Sequence, residues 1–323
     1  MKKFKAAILN KSERTVNYVF SGEQLREIGE MTELRSGIAS VSDVEQGLLQ
    51  DVEVVFSTWE IPSLTDEQLS KMPNLKAVFY AAGATDHFAR PCFARNIRVF
   101  SAWQANAIPV AEFCLAQILL GLKGYFRTSR LFTQPGATGH ADAGPGIYGE
   151  TVALIGAGAI STKLQELLRP FHVNVIVIPS RKERRTISLE EAFAKAAVIS
   201  NHLPNRDDNV GVLNKALFES MPQNAVFINT GRGRQVNEAD LAEVLVKRPD
   251  LTAILDVTWP EPPEEDSPLY KLPNVWLTPH IAGSLNDEVR RMADYAIADF
   301  RNYAEGKPLQ YRVSESMLLT SQN

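Results

Sequence analysis

The stretch Thr151–Phe171, TVALIGAGAISTKLQELLRPF, decides the fold. It opens with five apolar residues, a run of strand length. Gly156-Ala157-Gly158 then turns the chain, and a helical stretch follows. A G-x-G-x-x-G-like string carries weight only in this setting, directly after a strand and opening a helix. Gly156 allows the tight turn, and Gly158 lets the backbone approach a pyrophosphate. The helix TKLQELLRPF follows GAGAIS, and its free N–H groups and dipole favour an anion, with Ala159 and Ile160 of the loop among the candidate cofactor-binding residues. Ser161 stands at the third glycine position of the fingerprint; it is small, so close helix–strand packing is expected to be weakened rather than lost.

Six strand candidates alternate with helices from this point on. TVALI, NVIVI, AAVIS, AVFIN, AILDV and VWLT begin at Thr151, Asn174, Ala196, Ala225, Ala253 and Val275. That alternation predicts an α/β doubly wound (Rossmann) dinucleotide-binding domain. Upstream, FKAAIL, VEVVFS, LKAVFY and IRVFSA alternate with helical stretches such as SGEQLREIGEM and LTDEQLSKM, the latter with Thr65 as N-cap. They predict a smaller, flavodoxin-like parallel α/β domain.

Between the two, PVAEFCLAQILLGLKGYF is expected to start a helix with Pro109 in its first turn. Being apolar on nearly every face, it should be buried on all sides, between domains or between subunits, and a homodimer is expected on that ground. Thr133–Glu150, rich in Gly and Pro, reads as a long connecting loop. The last helix, LNDEVRRMADYAIADFRNYAEG, is expected to return to the first domain. The domains are therefore 1–104 with 286–323, for substrate, and 105–285, for dinucleotide, with the site in the cleft between them.

Bulk properties exclude more than they assign. The 323 residues are 45% apolar and 22% charged with net charge −4, a balance that favours neither nucleic acid nor an anionic membrane as partner. The apolar stretch in MKKFKAAILN is too short for a signal peptide, and no run is expected to reach transmembrane length. Cys92 and Cys114 cannot supply a disulfide framework, which favours a reducing, cytoplasmic setting. No metal site is expected.

Three residues past strand ends suggest chemistry. Arg232 follows AVFIN, Glu261 follows AILDV and His280 follows VWLT. Loops past the carboxyl ends of parallel strands converge on one crevice, so a fixed cation, a carboxylate and an imidazole are expected to meet there as an acid–base site. The cofactor type is read at the end of the second strand, Ile178-Pro179-Ser180-Arg181, followed by Lys182, Glu183, Arg184 and Arg185. No carboxylate is placed there to accept from a ribose 2′-OH. Ser180 and Arg181 are instead candidates to take a 2′-phosphate, which makes NADP(H) the preferred expectation and NAD(H) the possible one. A solvated basic loop is the plain alternative.

Taken together, the chain resembles the D-isomer-specific 2-hydroxyacid dehydrogenase family, in particular its glyoxylate/hydroxypyruvate reductase-like members. AAGATD (Ala81 to Asp86) resembles the glycine loop that receives the substrate carboxylate, placing Ala82 and Gly83 there. PVAE (Pro109 to Glu112) resembles the start of the family's long inter-subunit helix. LIGAGAIS resembles its dinucleotide loop, and HLPN (His202 to Asn205) its loop flanking the cofactor, with Leu203 and Pro204. NTGRGRQVNEADL (Asn229 to Leu241), LDVTWPEP (Leu255 to Pro262) and LTPHIAG (Leu277 to Gly283) resemble its three catalytic segments.

The resemblance implies that Arg232 holds the carboxylate and polarises the keto oxygen. It makes His280 the proton donor in reduction, with Glu261 its partner, and places Thr230 and Asp256 near the nicotinamide. The substrate is then a small 2-keto acid, reduced to the D-2-hydroxy acid. FSTWEIPS (Phe56 to Ser63) lacks the basic residues a phosphorylated substrate would want, and Trp59 there suggests a pocket for a small or apolar side chain. A formate dehydrogenase-like reading is set aside because the imidazole's partner is Glu261 rather than an amide. A dinucleotide-sensing, corepressor-like binding protein on the same scaffold is the alternative function. His87, His140, His172 and His202 read as structural, Glu112 as a structural hydrogen-bonding group, and both cysteines as ordinary buried residues.

Overall fold

A computed structural model describes residues 3–133, 135 and 144–318. Half of the expected Thr133–Glu150 loop, His140 included, lies outside them. The chain forms two compact units: Met1–Asn106 with Ser284–Asn323, and Ala107–Gly283.

The second unit is built on six parallel strands: β6 (Thr151–Ile155), β7 (Asn174–Ile178), β8 (Val198–Asn201), β9 (Val226–Asn229), β10 (Thr252–Leu255) and β11 (Val275–Leu277), ordered β11-β10-β9-β8-β6-β7. The central strands are apolar on both faces because each face is covered. Phe193, Phe218 and Phe227 pack on one side; Val110, Cys114, Ile118 and Leu164 pack on the other. After β6 the chain builds β7 to one side, then crosses back to place β8 on the other. The β6/β8 gap is thus the switch point of the sheet, and crevices for ligands form past the carboxyl ends of the strands at such a point.

The first unit has the same winding on five parallel strands, ordered β2-β1-β3-β4-β5: β1 (Phe4–Leu9), β2 (Thr32–Ala39), β3 (Val54–Ser57), β4 (Ala77–Tyr80) and β5 (Arg98–Ser101). Four strands were expected. The fifth, β2, is an edge strand, TELRSGIA, with only Thr32 and Ala39 buried, so it lacks the apolar signature of its neighbours. The expected helices form behind reciprocal caps, Ser21 with Gln24 for Gly22–Met31 and Thr65 with Gln68 for Asp66–Ser70. The C-terminal helix Arg290–Glu305 returns to this sheet, where Phe300 meets Phe56 and Phe79 edge-on, while Phe79 stacks on Phe100 at 4.6 Å. Its buried Asp299 accepts hydrogen bonds from the N–H groups of Gln310 and Tyr311, at 3.1 and 2.8 Å. That pins the following chain, so that Tyr311 and Val313 hydrogen-bond along β5.

The long apolar helix corrects several expectations. It spans Trp103–Leu122, so Pro109 lies inside it rather than in its first turn: WQANAI ahead of the proline folds as helix, and packing outweighs the missing N–H. Its inner face, Val110, Ala111, Cys114, Ile118 and Leu122, is buried against the second sheet, but Glu112, Ala116 and Leu120 are exposed. It is therefore not buried on all sides within one chain. Glu112 takes no hydrogen bond among the described residues, because it sits on that open face and not in the core. The helix is also long and apolar enough by length and composition to cross a membrane, contrary to the expectation that no run reaches that length; half of it is buried within the chain as a core helix.

Candidate active site

Within the second unit, the loops past β9, β10 and β11 are stitched together by named contacts. The link between the first two begins at Gly233. A Cβ there would lie 2.0 Å from the carbonyl of Thr258, so the two backbones approach as closely as glycine allows. One residue on, the Arg234 guanidinium lies over the Trp259 ring at 5.4 Å. The Glu238 carboxylate accepts from the Trp259 N–H at 2.6 Å. Arg232 sits between these ties and β9, half-buried, its Nη1 donating to the Gly231 carbonyl at 2.8 Å.

Asp256, at the end of β10, makes the second link. One carboxylate oxygen accepts from Thr278 Oγ1 at 2.6 Å and Ile281 N at 2.8 Å; the other accepts from Ala282 N at 2.9 Å. Its carbonyl accepts from His280 N at 3.0 Å. Four hydrogen bonds thus fix the turn that carries His280, whose φ of 56° is unusual for a residue with a side chain. Both Asp256 oxygens are engaged within the protein, and the group is buried.

The result is a direct pair. His280 Nδ1 lies 2.6 Å from Glu261 Oε1, with both side chains partly open to solvent. A carboxylate on Nδ1 fixes the tautomer and leaves Nε2 to exchange a proton with whatever stands before it. Of the predicted trio, Glu261 and His280 are in contact, and Arg232 is carried on the loop knitted to that of Glu261.

The glycine turn lies at the switch point. Gly156 has φ 107°, and a Cβ there would meet the His202 carbonyl at 2.4 Å, so the turn is pressed against the Leu203–Pro204 loop. Gly158 instead faces open space and heads the helix Ala159–Leu168 with no side chain capping it, which leaves the N–H groups of Ala159 and Ile160 for an anion. Ser161 is fully buried, and its hydroxyl donates to the Gly156 carbonyl at 2.6 Å. The serine therefore braces the turn, where weaker packing was expected. Past β7, Arg185 donates to the carbonyls of Pro179 and Ser180, at 2.9 and 3.0 Å, and shapes that loop. The Arg181 carbonyl accepts from Arg184 N at 3.1 Å, while the Arg181 guanidinium makes no hydrogen bond or ion pair among the described residues.

Under the turn lies a buried polar chain: Ser200 Oγ to His202 Nε2 at 2.9 Å, His202 Nδ1 to Thr230 Oγ1 at 3.2 Å, and Thr230 Oγ1 to Cys114 Sγ at 3.4 Å. Burial pushes His202 down to about 3, so it is a neutral hydrogen-bonding ring, and pushes the Cys114 thiol up to about 11. In the first unit, Ala82 and Gly83 follow β4 with carbonyls held by Ser101 Oγ at 2.8 and 2.6 Å. Their N–H groups have no partner among the described residues.

Sequence reasoning did not single out Asn201, Asn229, Gln235 or Glu238. Gln235 and Glu238 lie inside a quoted segment, but nothing in their spacing tells that one turns inward and the other reaches a neighbouring loop.

A doubly wound sheet with an uncapped glycine turn at its switch point and an imidazole–carboxylate pair past its strand ends defines a dinucleotide-binding oxidoreductase fold. The D-isomer specific 2-hydroxyacid dehydrogenase NAD binding domain matches residues 115–282, and the chain belongs to that family. It is 30% identical over 242 residues to the putative 2-hydroxyacid dehydrogenase YoaD of Bacillus subtilis, covering 70% of this chain and 69% of that protein. It is 26% identical over 312 residues to D-3-phosphoglycerate dehydrogenase of Archaeoglobus fulgidus, covering 94% of this chain but only 58% of that protein. The crystal structure of Rhodotorula graminis D-mandelate dehydrogenase has the same fold, with a TM-score of 0.80 at 17% identity, covering 97% of this chain and 98% of that one.

Proposed function

We propose that the protein transfers hydride between NADP(H) and a small 2-keto acid, yielding the D-2-hydroxy acid, with NAD(H) as the weaker cofactor. The observation that carries this reading is the His280–Glu261 pair on a loop fixed by Asp256, beside the loop of Arg232, in a chain of this family. The bound nicotinamide would supply the hydride. The chain's own groups do the rest. Arg232 grips the carboxylate and polarises the keto oxygen. His280 gives that oxygen a proton from Nε2 as hydride reaches the carbon, and Glu261 at Nδ1 orients the ring for that transfer. The unpartnered N–H groups of Ala82 and Gly83 are of the type a carboxylate accepts.

Gly156, Gly158, Ala159 and Ile160 would hold the pyrophosphate, Leu203, Pro204 and Thr230 the nicotinamide side, and Ser180 and Arg181 the 2′-phosphate. The Arg181 guanidinium has no partner among the described residues while Arg185 donates to backbone carbonyls, which supports the Arg181 side chain as the phosphate ligand. Trp59 stacks on Tyr18, with ring centroids 6.4 Å apart, which supports an apolar or small substrate side chain over a phosphorylated one.

The test is oxidation of NADPH and NADH, at equal concentrations, with glyoxylate, hydroxypyruvate, pyruvate and a bulkier 2-keto acid. Faster turnover with NADPH supports the whole reading. Turnover with NADH alone overturns the cofactor choice, and dinucleotide binding without any turnover favours a sensing role.

A further inference from the structure

Three side-chain amides form a closed network beneath the loop of Arg232. Asn201, Asn229 and Gln235 are each at most 1% exposed. Asn201 Nδ2 donates to Asn229 Oδ1 at 2.9 Å and to Gln235 Oε1 at 2.7 Å. The outer contacts of the network all go to backbone. On one side, Asn229 Oδ1 accepts from Gly231 N at 3.1 Å and Gln235 Oε1 from Arg232 N at 3.1 Å. On the other side, Gln235 Nε2 donates to the carbonyls of Leu203 and Pro204, at 2.8 and 2.9 Å, and Asn201 Oδ1 accepts from Leu203 N at 3.2 Å.

The amide ends of Gln235 are not interchangeable. Its oxygen meets two donors and its nitrogen two acceptors, so the orientation is fixed by four contacts. A buried amide costs stability unless it is satisfied, and beyond its bond from Asn201 this one spends its other three on the backbones of two loops that differ in role. The 3-10 turn Gly233–Gln235 points the side chain back to the start of its own loop.

We infer that Gln235 is a positioning residue that ties the backbone of Arg232 to the Leu203–Pro204 loop, so that keto-acid grip and dinucleotide seating are set by one side chain. This deepens the proposed dehydrogenase reading and rests on it for the keto-acid half. The dinucleotide half stands on binding alone. The polarity of the contacts gives the two halves different chemical requirements. Arg232 needs an acceptor at the Oε1 position; Leu203 and Pro204 need a donor at Nε2.

The experiment compares wild type, Gln235→Met and Gln235→Glu by thermal unfolding, by fluorescence titration with NADH and NADPH, and by keto-acid kinetics at saturating dinucleotide. Gln235→Met keeps length and removes every bond. It should weaken both dinucleotides about tenfold and raise KM for the keto acid about tenfold, with kcat lowered less than about threefold, as expected for lost hydrogen bonds to unmoved chemistry. Gln235→Glu keeps the acceptor for Arg232 and turns an oxygen toward two carbonyls, so only its protonated form can donate. Its dinucleotide affinity should therefore fall as pH rises, relative to wild type, while KM for the keto acid stays within about threefold.

A folded Gln235→Met with wild-type dinucleotide affinity and wild-type KM overturns the inference. So does a Gln235→Glu protein whose dinucleotide affinity follows the wild-type pH profile. If the wild type binds dinucleotide yet reduces no keto acid, the dehydrogenase reading fails, and the titrations still decide whether Gln235 seats the Leu203–Pro204 loop.

Discussion

At the scale of single residues, two histidines show how surroundings assign roles. His280 is half open, paired with Glu261 and held at positive φ by bonds from its neighbours to Asp256. Replacing it with alanine should lower kcat by about 10²–10⁴, the usual worth of a positioned acid–base group, while dinucleotide binding measured by titration stays near wild type. A small loss in kcat would remove His280 from the proton transfer. His202 is the opposite case, buried and neutral. Its folded value of about 3 lies below the ordinary 6.5, so as pH falls the unfolded chain takes up the proton first. The stability tied to neutral His202 is full above about 6.5 and is lost toward about 3, at up to about 1.4 kcal/mol per pH unit. His202→Asn should flatten the acid limb of the unfolding free energy between about pH 6.5 and 4; an unchanged slope would show that other groups set it.

At the scale of elements, the proposed function assigns the cofactor choice to the loop past β7 and the partner of His280 to the loop past β10. Arg181→Ala should weaken NADPH binding while sparing NADH, because only the former presents a 2′-phosphate; equal effects on both would reassign the basic loop to solvent. The β10 loop is anchored by Glu238, whose carboxyl is pushed up to about 7, chiefly by burial, against the N–H of Trp259. Its folded value lies above the ordinary 4.5, so the folded state holds the proton longer and stability falls as pH rises from about 4.5 to about 7. Glu238→Gln keeps an acceptor for Trp259 and has no charge to bury. Its gain in melting temperature over wild type should therefore be larger at pH 8 than at pH 5, and equal gains would reject the assignment.

These elements also mark what could be read from sequence. The strands carrying the trio were legible because apolar runs of strand length alternate with helices, and Arg232, Glu261 and His280 follow their ends directly. The edge strand β2 was not, since an exposed strand has little apolar patterning. Nor was the start of the Pro109 helix, where packing overrides a local proline rule. The amide network under Arg232 was hidden for another reason: Asn201 and Asn229 end the apolar strands β8 and β9 while Gln235 lies in a polar-looking loop, and only the fold brings the three amides together. Ser161 was visible as a departure, but its hydroxyl's bond to Gly156 was not.

At the scale of the whole molecule, the helix Trp103–Leu122 poses the remaining question. Its inner face is core, and its outer face and the residues just beyond it leave Leu120, Tyr125, Leu131 and Phe132 between 38% and 68% exposed. Such a run of exposed apolar side chains on one short segment is the kind of surface through which chains associate, and we expect a homodimer on that ground. Two copies related by a twofold axis would cover it with a self-complementary contact, the commonest arrangement for oligomers of one chain. We therefore expect sedimentation velocity to give a species of twice the chain's mass at micromolar concentration. Leu120→Arg places a charge on that face without touching Val110, Cys114 or Ile118 on the inner one, so it should shift the species toward monomer while leaving the folded second sheet intact by circular dichroism. A wild type that sediments as a monomer would reject the dimer outright. A Leu120→Arg protein that remains dimeric would place the contact on some other face.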